Sequence, residues 1–205
     1  LLTTLENPVA PAVAAGFKGR MTELPPEIGL RRLRLARPHL DDLPAPALPA
    51  GFVVRPFAPG DEAVWLAVVG EADRVLNVNR AMFDRAFALD PAELPRRLLF
   101  LAAATGEIVG TAAAWFDEAG WGRVHWLAVR PPWQGWGVGR ALLILALHRL
   151  RELGHSRAFL ITEAARLRAI RLYLGLGFQP EIHSPAERET WEQVQRAGLA
   201  VKLPA

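Results

Sequence analysis

The sequence predicts an α/β domain, and three stretches carry that expectation. Residues 123–153 read as a strand, a glycine-punctuated turn and a long apolar helix, in that order. Residues 97–104 and 107–116 form a hairpin around Thr105 and Gly106. Residues 158–162, a short buried strand, follow the long helix and lead into another helical segment at 167–176. With 205 residues and 51% of them apolar, the chain is long enough for one sizeable core.

Taken in order, residues 1–20 are Ala/Pro-rich and lack the basic start and apolar centre of a secretory signal. They read as sequence upstream of a natural start at Met21. The run from Leu30 to Arg37 alternates arginine with apolar residues, which predicts an edge strand whose charges discourage stray pairing. Residues 44–51 are an extended Pro/Ala linker. The reading therefore assigns 1–50 to an N-terminal extension and 51–205 to the domain.

Residues 52–57 are the first strand of that domain. Pro59, Gly60 and Asp61 turn the chain and cap a helix, with Val64, Ala67, Val68, Glu71 and Val75 at helical spacing. A second helix spans 80–89 with Met82, Phe83, Ala86 and Phe87 on its apolar face, ended by Asp90 and Pro91. Asp117 to Gly120 turn into the central strand, which Pro131 and Pro132 end. A further strand starts at Phe178. Ser184-Pro185-Ala186-Glu187 is a capping box with proline at the first helical position, so a helix over 185–196 follows, docked by Trp191 and Val194.

Bulk properties exclude several function classes. There is no cysteine, hence no disulfide, no thiolate metal site and no cysteine nucleophile. That fits a reducing cytoplasm. Twenty-four basic residues face 21 acidic ones, and the basic set is almost all arginine, with Lys18 and Lys202 the only lysines. Such a spread reads as a solvated surface, and no aromatic-basic platform for nucleic acid is visible. No apolar run reaches membrane-spanning length.

The chemistry resides in the turn. Gly135, Gly137 and Gly139 leave backbone N–H groups uncovered at a helix start, where unpaired donors and the dipole favour a phosphate. The turn lacks the lysine of a Walker loop and the third glycine of a dinucleotide fingerprint. On glycines alone, phosphate binding and a plain strand-to-helix turn are equally open.

The wider pattern is more specific. Val129, Gln134, Gly137 and Gly139 spell V-x-x-x-x-Q-x-x-G-x-G, and Ala169 to Phe178 spell A-x-x-L-Y-x-x-x-G-F. In that order and separation they resemble the two motifs of the GNAT superfamily of acyl-CoA N-acyltransferases. The resemblance implies a mixed, mostly antiparallel sheet with splayed strands, flanked by helices. It also implies acetyl-CoA as donor, a bulged central strand, direct transfer without metal or covalent intermediate, and a homodimer.

By the same resemblance, Leu127, Ala128 and Val129 meet the pantetheine arm. Gln134, Gly135, Trp136, Gly137, Val138 and Gly139 surround the pyrophosphate, and Arg140, beside the glycine turn, is a further phosphate candidate. Tyr173, the only tyrosine, stands where the family's general acid stands. His125 is the expected base, on the same strand face as Leu127 and Val129 if the strand is regular. Glu163 is the second candidate, acting through water. One departure stands out: the family's cofactor-contacting asparagine is replaced by Arg166, with Arg168 and Arg171 nearby. Trp65, Asp73, Asp84, Trp115 and His183 are read as walls of an acceptor cleft for a small-molecule amine or a protein amino terminus. Two rivals remain at this level: a non-catalytic acyl-CoA sensor and an arginine-rich nucleic-acid binder.

Overall fold

The computed structural model describes residues 21–88, 91–117 and 119–204. The readings placed on residues 1–20, on Leu89 and Asp90, and on Glu118 lie outside them. In chain order the elements are α1 (Pro26–Gly29), β1 (Arg32–Arg37), β2 (Phe52–Pro56), α2 (Glu62–Ala72), α3 (Arg80–Ala86), α4 (Leu94–Arg97), β3 (Leu98–Ala103) and β4 (Ile108–Phe116). They continue as β5 (Gly122–Val129), α5 (Val138–Glu152), β6 (Ala158–Glu163), α6 (Leu167–Leu174), β7 (Gln179–Glu181) and α7 (Pro185–Arg196). One seven-stranded sheet results, in the order β2-β3-β4-β5-β6-β1-β7. Every pairing is antiparallel except β5 with β6. The sheet is thus mixed and mostly antiparallel, with helices on both faces.

Each face has its own core, because strand side chains alternate. On one face α5, α6 and α7 pack over Leu33, Leu35, Leu101, Val124 and Leu160. On the other, α2 and α3 enclose an aromatic cluster of Phe57, Trp65, Phe83, Phe87, Phe100 and Trp115. β4 runs between the two layers and is built from Gly110 and three alanines, which lets both layers come close. A Cβ on Gly110 would stand 2.8 Å from Leu142 Cδ1 and 2.9 Å from the Ala128 carbonyl oxygen. Only glycine fits there.

Three local expectations are corrected. β1 is not an edge strand: it pairs with β6 on one side and β7 on the other. Leu33 and Leu35 are 1% and 0% exposed, buried in the core of one face of the sheet. The alternating arginines turn to the opposite face, where Arg34 pairs with Glu181. Arg37, at the strand's end, is buried and held by the Leu176 carbonyl and Asp42.

Second, Asp61 does not cap α2. Its carboxylate accepts from the Arg55 guanidinium at 2.9 Å and the Ala58 N–H at 2.7 Å, which leaves nothing for the helix. Asn79 instead caps α3, accepting from the Met82 N–H at 3.0 Å. Third, α2 buries Trp65, Val68 and Val69, while Val75, beyond the helix end, is 91% exposed. Residues 63–69 are apolar on all sides, so their spacing carried no phase. The α7 cap is as expected: Ser184 Oγ accepts from the Glu187 N–H at 3.2 Å.

Candidate active site

The site is a split in the sheet. β5 and β6 pair only at Gly122 with Ala158 and Arg123 with Phe159. Beyond those pairs β5 follows β4 and β6 follows β1, and the two diverge. A cavity of about 390 Å³ fills the gap, lined by residues 123–129, Gln134, residues 160–163, Tyr173 and the end of α2.

A bulge in β5 shapes the cavity wall. The register against β4 shifts between Thr111 and Ala113, so that Ala112 faces both Trp126 and Leu127. Trp126 has φ 50°, the one non-glycine among the described residues in the left-handed region. One extra residue inverts the alternation. His125 and Trp126 therefore both turn to the aromatic face, their rings 5.5 Å apart, and His125 also meets Phe87 at 6.0 Å. Leu127 and Val129 pack toward α5 instead. The expectation that His125 shares their face is overturned, because it assumed a regular strand.

The backbone beyond the bulge turns part of its polar groups to the cleft side. The Arg130 N–H donates to the Val109 carbonyl at 2.9 Å. Antiparallel pairs alternate between bonded and non-bonded, so the backbone groups of Val129 and Leu127 point away from β4, into the split. Gln134 Nε2 donates to the Val129 carbonyl at 3.1 Å, from the cleft side.

The glycine turn opens at the top of this strand. Gly135 and Gly137 have φ 86° and 81°, a region that costs other residues about 1–2 kcal/mol. Gly137 is the N-cap of α5 and offers no side chain, so the first helical donors stay uncapped. The Ala141 N–H to the Gly137 carbonyl, 3.0 Å, is the first bond of the helix. The amides of residues 135 to 140 donate to no acceptor among the described residues. A Cβ on Gly139 would lie 3.7 Å from Val129 Cγ2 and 3.8 Å from Leu172 Cδ2, so this wall is close but not blocked. Trp136 packs on Trp133 at 5.7 Å, and Arg140 is exposed beside the turn. Consecutive free donors at the positive end of a fifteen-residue helix fit a diphosphate.

Tyr173 projects from α6 into the same cavity and is 8% exposed. Burial pushes its hydroxyl up to about 12, against a small downward pull from Arg166. It stays protonated across the neutral range. Arg166, at the N-cap of α6, donates to Asp73 at 2.6 Å and to Glu163 at 3.2 Å. The arginine standing in place of an asparagine therefore links two acids on the cavity wall. His125 is neutral: burial, aided by Arg123, lowers it to about 3.

The split has two mouths. The glycine turn and Tyr173 belong to the α5 face. Alternation along β6 sends Ala158 and Leu160 to that face and Phe159, Ile161 and Glu163 to the other. There they join Arg123 and His125 of β5, Arg32 of β1, and Val69 and Asp73 from the end of α2. Of the residues expected to wall an acceptor cleft, only Asp73 lines the cavity. Trp65 and Trp115 are core, at 0% and 8% exposed. Asp84 pairs with Arg80 on the surface at 2.7 Å, and the His183 N–H donates to Glu187. Arg32 and Arg123 were not singled out from sequence for this cavity. Arg123 stands two residues before His125, a spacing that places both on one face before the bulge intervenes.

Comparison with known proteins gives one consistent answer. Residues 70–178, just over half of the chain, match the model of the Acetyltransferase (GNAT) family. The chain is 38% identical over 160 residues to the mycothiol acetyltransferase of Streptomyces coelicolor, covering 73% of this chain and 49% of that protein. It is 34% identical over 191 residues to the mycothiol acetyltransferase of Thermobispora bispora, covering 83% and 59%. The chain thus spans about half the length of the curated relatives it matches. Among solved structures, a GCN5-related N-acetyltransferase from Sphaerobacter thermophilus superposes with TM-score 0.64 at 28% identity, over 73% of this chain and 48% of that one. The ribosomal-protein-S18-alanine N-acetyltransferase from Escherichia coli shares the fold, with TM-score 0.54 at 21% identity, over 64% and 79%. No helix among the described residues is long and apolar enough to cross a membrane.

Proposed function

Because the chain belongs to the Acetyltransferase (GNAT) family, we propose that it moves an acetyl group from acetyl-CoA to a primary amine by direct attack in a ternary complex. The observation that carries this reading is the row of unpaired amides at residues 135 to 140, set at the open end of the split between β5 and β6. The amides and Arg140 take the diphosphate. The cleft-facing groups of Leu127 and Val129 align the pantetheine arm, and the bulge leaves a donor for the acyl oxygen.

Two proton movements complete the transfer. An amine of pKa about 10 is charged at neutral pH and must lose a proton before its lone pair can attack. The new C–N bond forms as the C–S bond breaks. Tyr173 gives its hydroxyl proton to the departing thiolate, whose thiol pKa is about 8.5. For the base we choose Glu163, acting through water. His125, the first expectation, is set aside because it turns to the aromatic face against Phe87 and Trp126 and lacks the negative charge that would draw an ammonium in. Its place is on the acceptor wall.

The similarity to proteins named mycothiol acetyltransferase favours a small-molecule amine over a protein amino terminus as acceptor. The test pairs calorimetry against acetyl-CoA with thiol release across a panel of small amines. Saturable binding with amine-dependent thiol release is expected. Binding without turnover on any amine would leave an acyl-CoA sensor, and no binding would end both readings.

A further inference from the structure

The acceptor mouth contains a cation without an anion. Arg123 sits at the vertex of the split, half-buried, and its Nε is buried with no hydrogen-bond partner. Its guanidinium lies 5.7 Å from the Phe159 ring. Among the described residues it forms no ion pair. Burial first, then the like charges Arg34 and Arg32, hold its pKa below the ordinary arginine value, against Asp117 alone. Asp117 is already engaged, accepting the Trp121 N–H at 2.8 Å. Arg34 is matched by Glu181. Arg32 stands opposite Glu163 in the β1–β6 register, yet makes no ion pair among the described residues. The other cavity arginine, Arg166, is shared between Asp73 and Glu163.

The charge in the cavity is therefore divided. Toward the open end, Asp73 and Glu163 share Arg166 on the cavity wall, where an ammonium must arrive. At the vertex, where β5 and β6 last pair, Arg123 faces the same space with no ion pair among the described residues. A half-buried guanidinium beside like charges is stabilised by a counter-charge, and it matches carboxylate and phosphate oxygens through paired N–H donors.

We propose that the acceptor carries an anionic group, a carboxylate or a phosphate, which Arg123 binds at the vertex of the split while the amine points toward Glu163 and Tyr173. This rests on the acetyltransferase reading and adds the acceptor's class: an amine with an acid on the same small molecule. Neutral amines lack the second point of attachment, and Arg123 selects against them.

The test compares matched acceptors: amino acids against their carboxamides, and amino sugars against their phosphates. Acid-bearing members are expected to show kcat/KM at least 10-fold above their neutral partners, and which pair shows it separates carboxylate from phosphate. In Arg123→Gln the ratio falls to about one, mainly through a 10- to 100-fold rise in KM, and Arg123→Lys restores part of it. Equal rates for both members of every pair, or a loss in Arg123→Gln that strikes both members equally, would overturn the proposal. A second measurement needs no turnover. N-acetylglycine and N-acetylglycinamide are titrated into the protein while the His125 ring resonances are followed by NMR. The acid alone is expected to shift them, saturably, in wild type and not in Arg123→Gln. Failure of that shift sinks the anion site by itself, whereas a shift without any acetyl transfer would contradict the acetyltransferase reading and leave the site standing.

Discussion

The indole of Trp65 meets that of Trp126 edge to face, ring centroids 5.1 Å apart and planes at 80°. Trp126 is the residue that carries the positive φ of the β5 bulge. Trp65 is fully buried and also touches Phe83 and Phe87. An α2 side chain thus holds the strained residue that turns Leu127 and Val129 toward the α5 face. Trp65→Ala should cost about 3–5 kcal/mol, the usual range for a buried tryptophan. Urea unfolding measures that loss, and a cost under about 1 kcal/mol would show that the cluster does not support the bulge.

His125 makes stability fall in acid. Its folded value, about 3, lies below the ordinary 6.5, so the unfolded chain takes up a proton that the folded chain refuses. The sign is therefore a loss of stability as pH drops from about 6.5 toward 3. Replacing His125 by Gln should flatten that part of the melting-temperature profile relative to wild type. An unchanged acid limb would show that His125 is solvated in the folded protein.

The glycines of the turn separate strain from access. At Gly135, φ is 86° with nothing within 4 Å of an added Cβ, so Gly135→Ala strains the backbone by about 1–2 kcal/mol without a clash. Gly139 lies within α5 with an ordinary φ and room for a methyl at 3.7 Å from Val129. Gly139→Ala should leave the melting temperature unchanged or raised, since alanine favours helix by up to about 1 kcal/mol. Gly139 carries one of the unpaired amides, so a methyl beside it should lower acetyl-CoA affinity at least about 10-fold, or about 1.4 kcal/mol. Calorimetry and thermal melts on the two variants check both halves.

Tyr173→Phe should lower kcat by about 100-fold or more, within the usual range for a lost general acid, while acetyl-CoA binding stays close to wild type. Because Tyr173 titrates near 12, it should add no alkaline limb to the rate profile below about pH 10. An alkaline limb near pH 8 that vanishes in Tyr173→Phe would place the hydroxyl in a wetter site than the cavity provides.

Local features were legible in the sequence, and long-range ones were not. The strand, turn and helix over 123–153 and the Ser184 cap depend on neighbours within a few residues, and they stand where the residues indicate. Of the residues in the two glycine-containing motifs, Val129, Gln134 and Tyr173 line one cavity. The position of β1 depends on pairing with segments more than 120 residues away, which Leu33 and Leu35 cannot announce. The face of His125 depends on a one-residue bulge opposite Ala112, which inverts every parity argument made along β5. Trp65 looked like a cleft residue because α2 is apolar on all sides and its phase was hidden. Arg123 became informative only once its lack of an acidic partner could be seen in space.

The central claim is that the amides from Gly135 to Arg140 receive the diphosphate of acetyl-CoA. Amide NMR during an acetyl-CoA titration of the folded protein tests it most directly. The account predicts saturable shifts concentrated at Gly135, Gly137, Val138, Gly139 and Arg140, with Leu127 and Val129 following as the arm enters the split. A titration that reaches millimolar acetyl-CoA and leaves those resonances in place would contradict it.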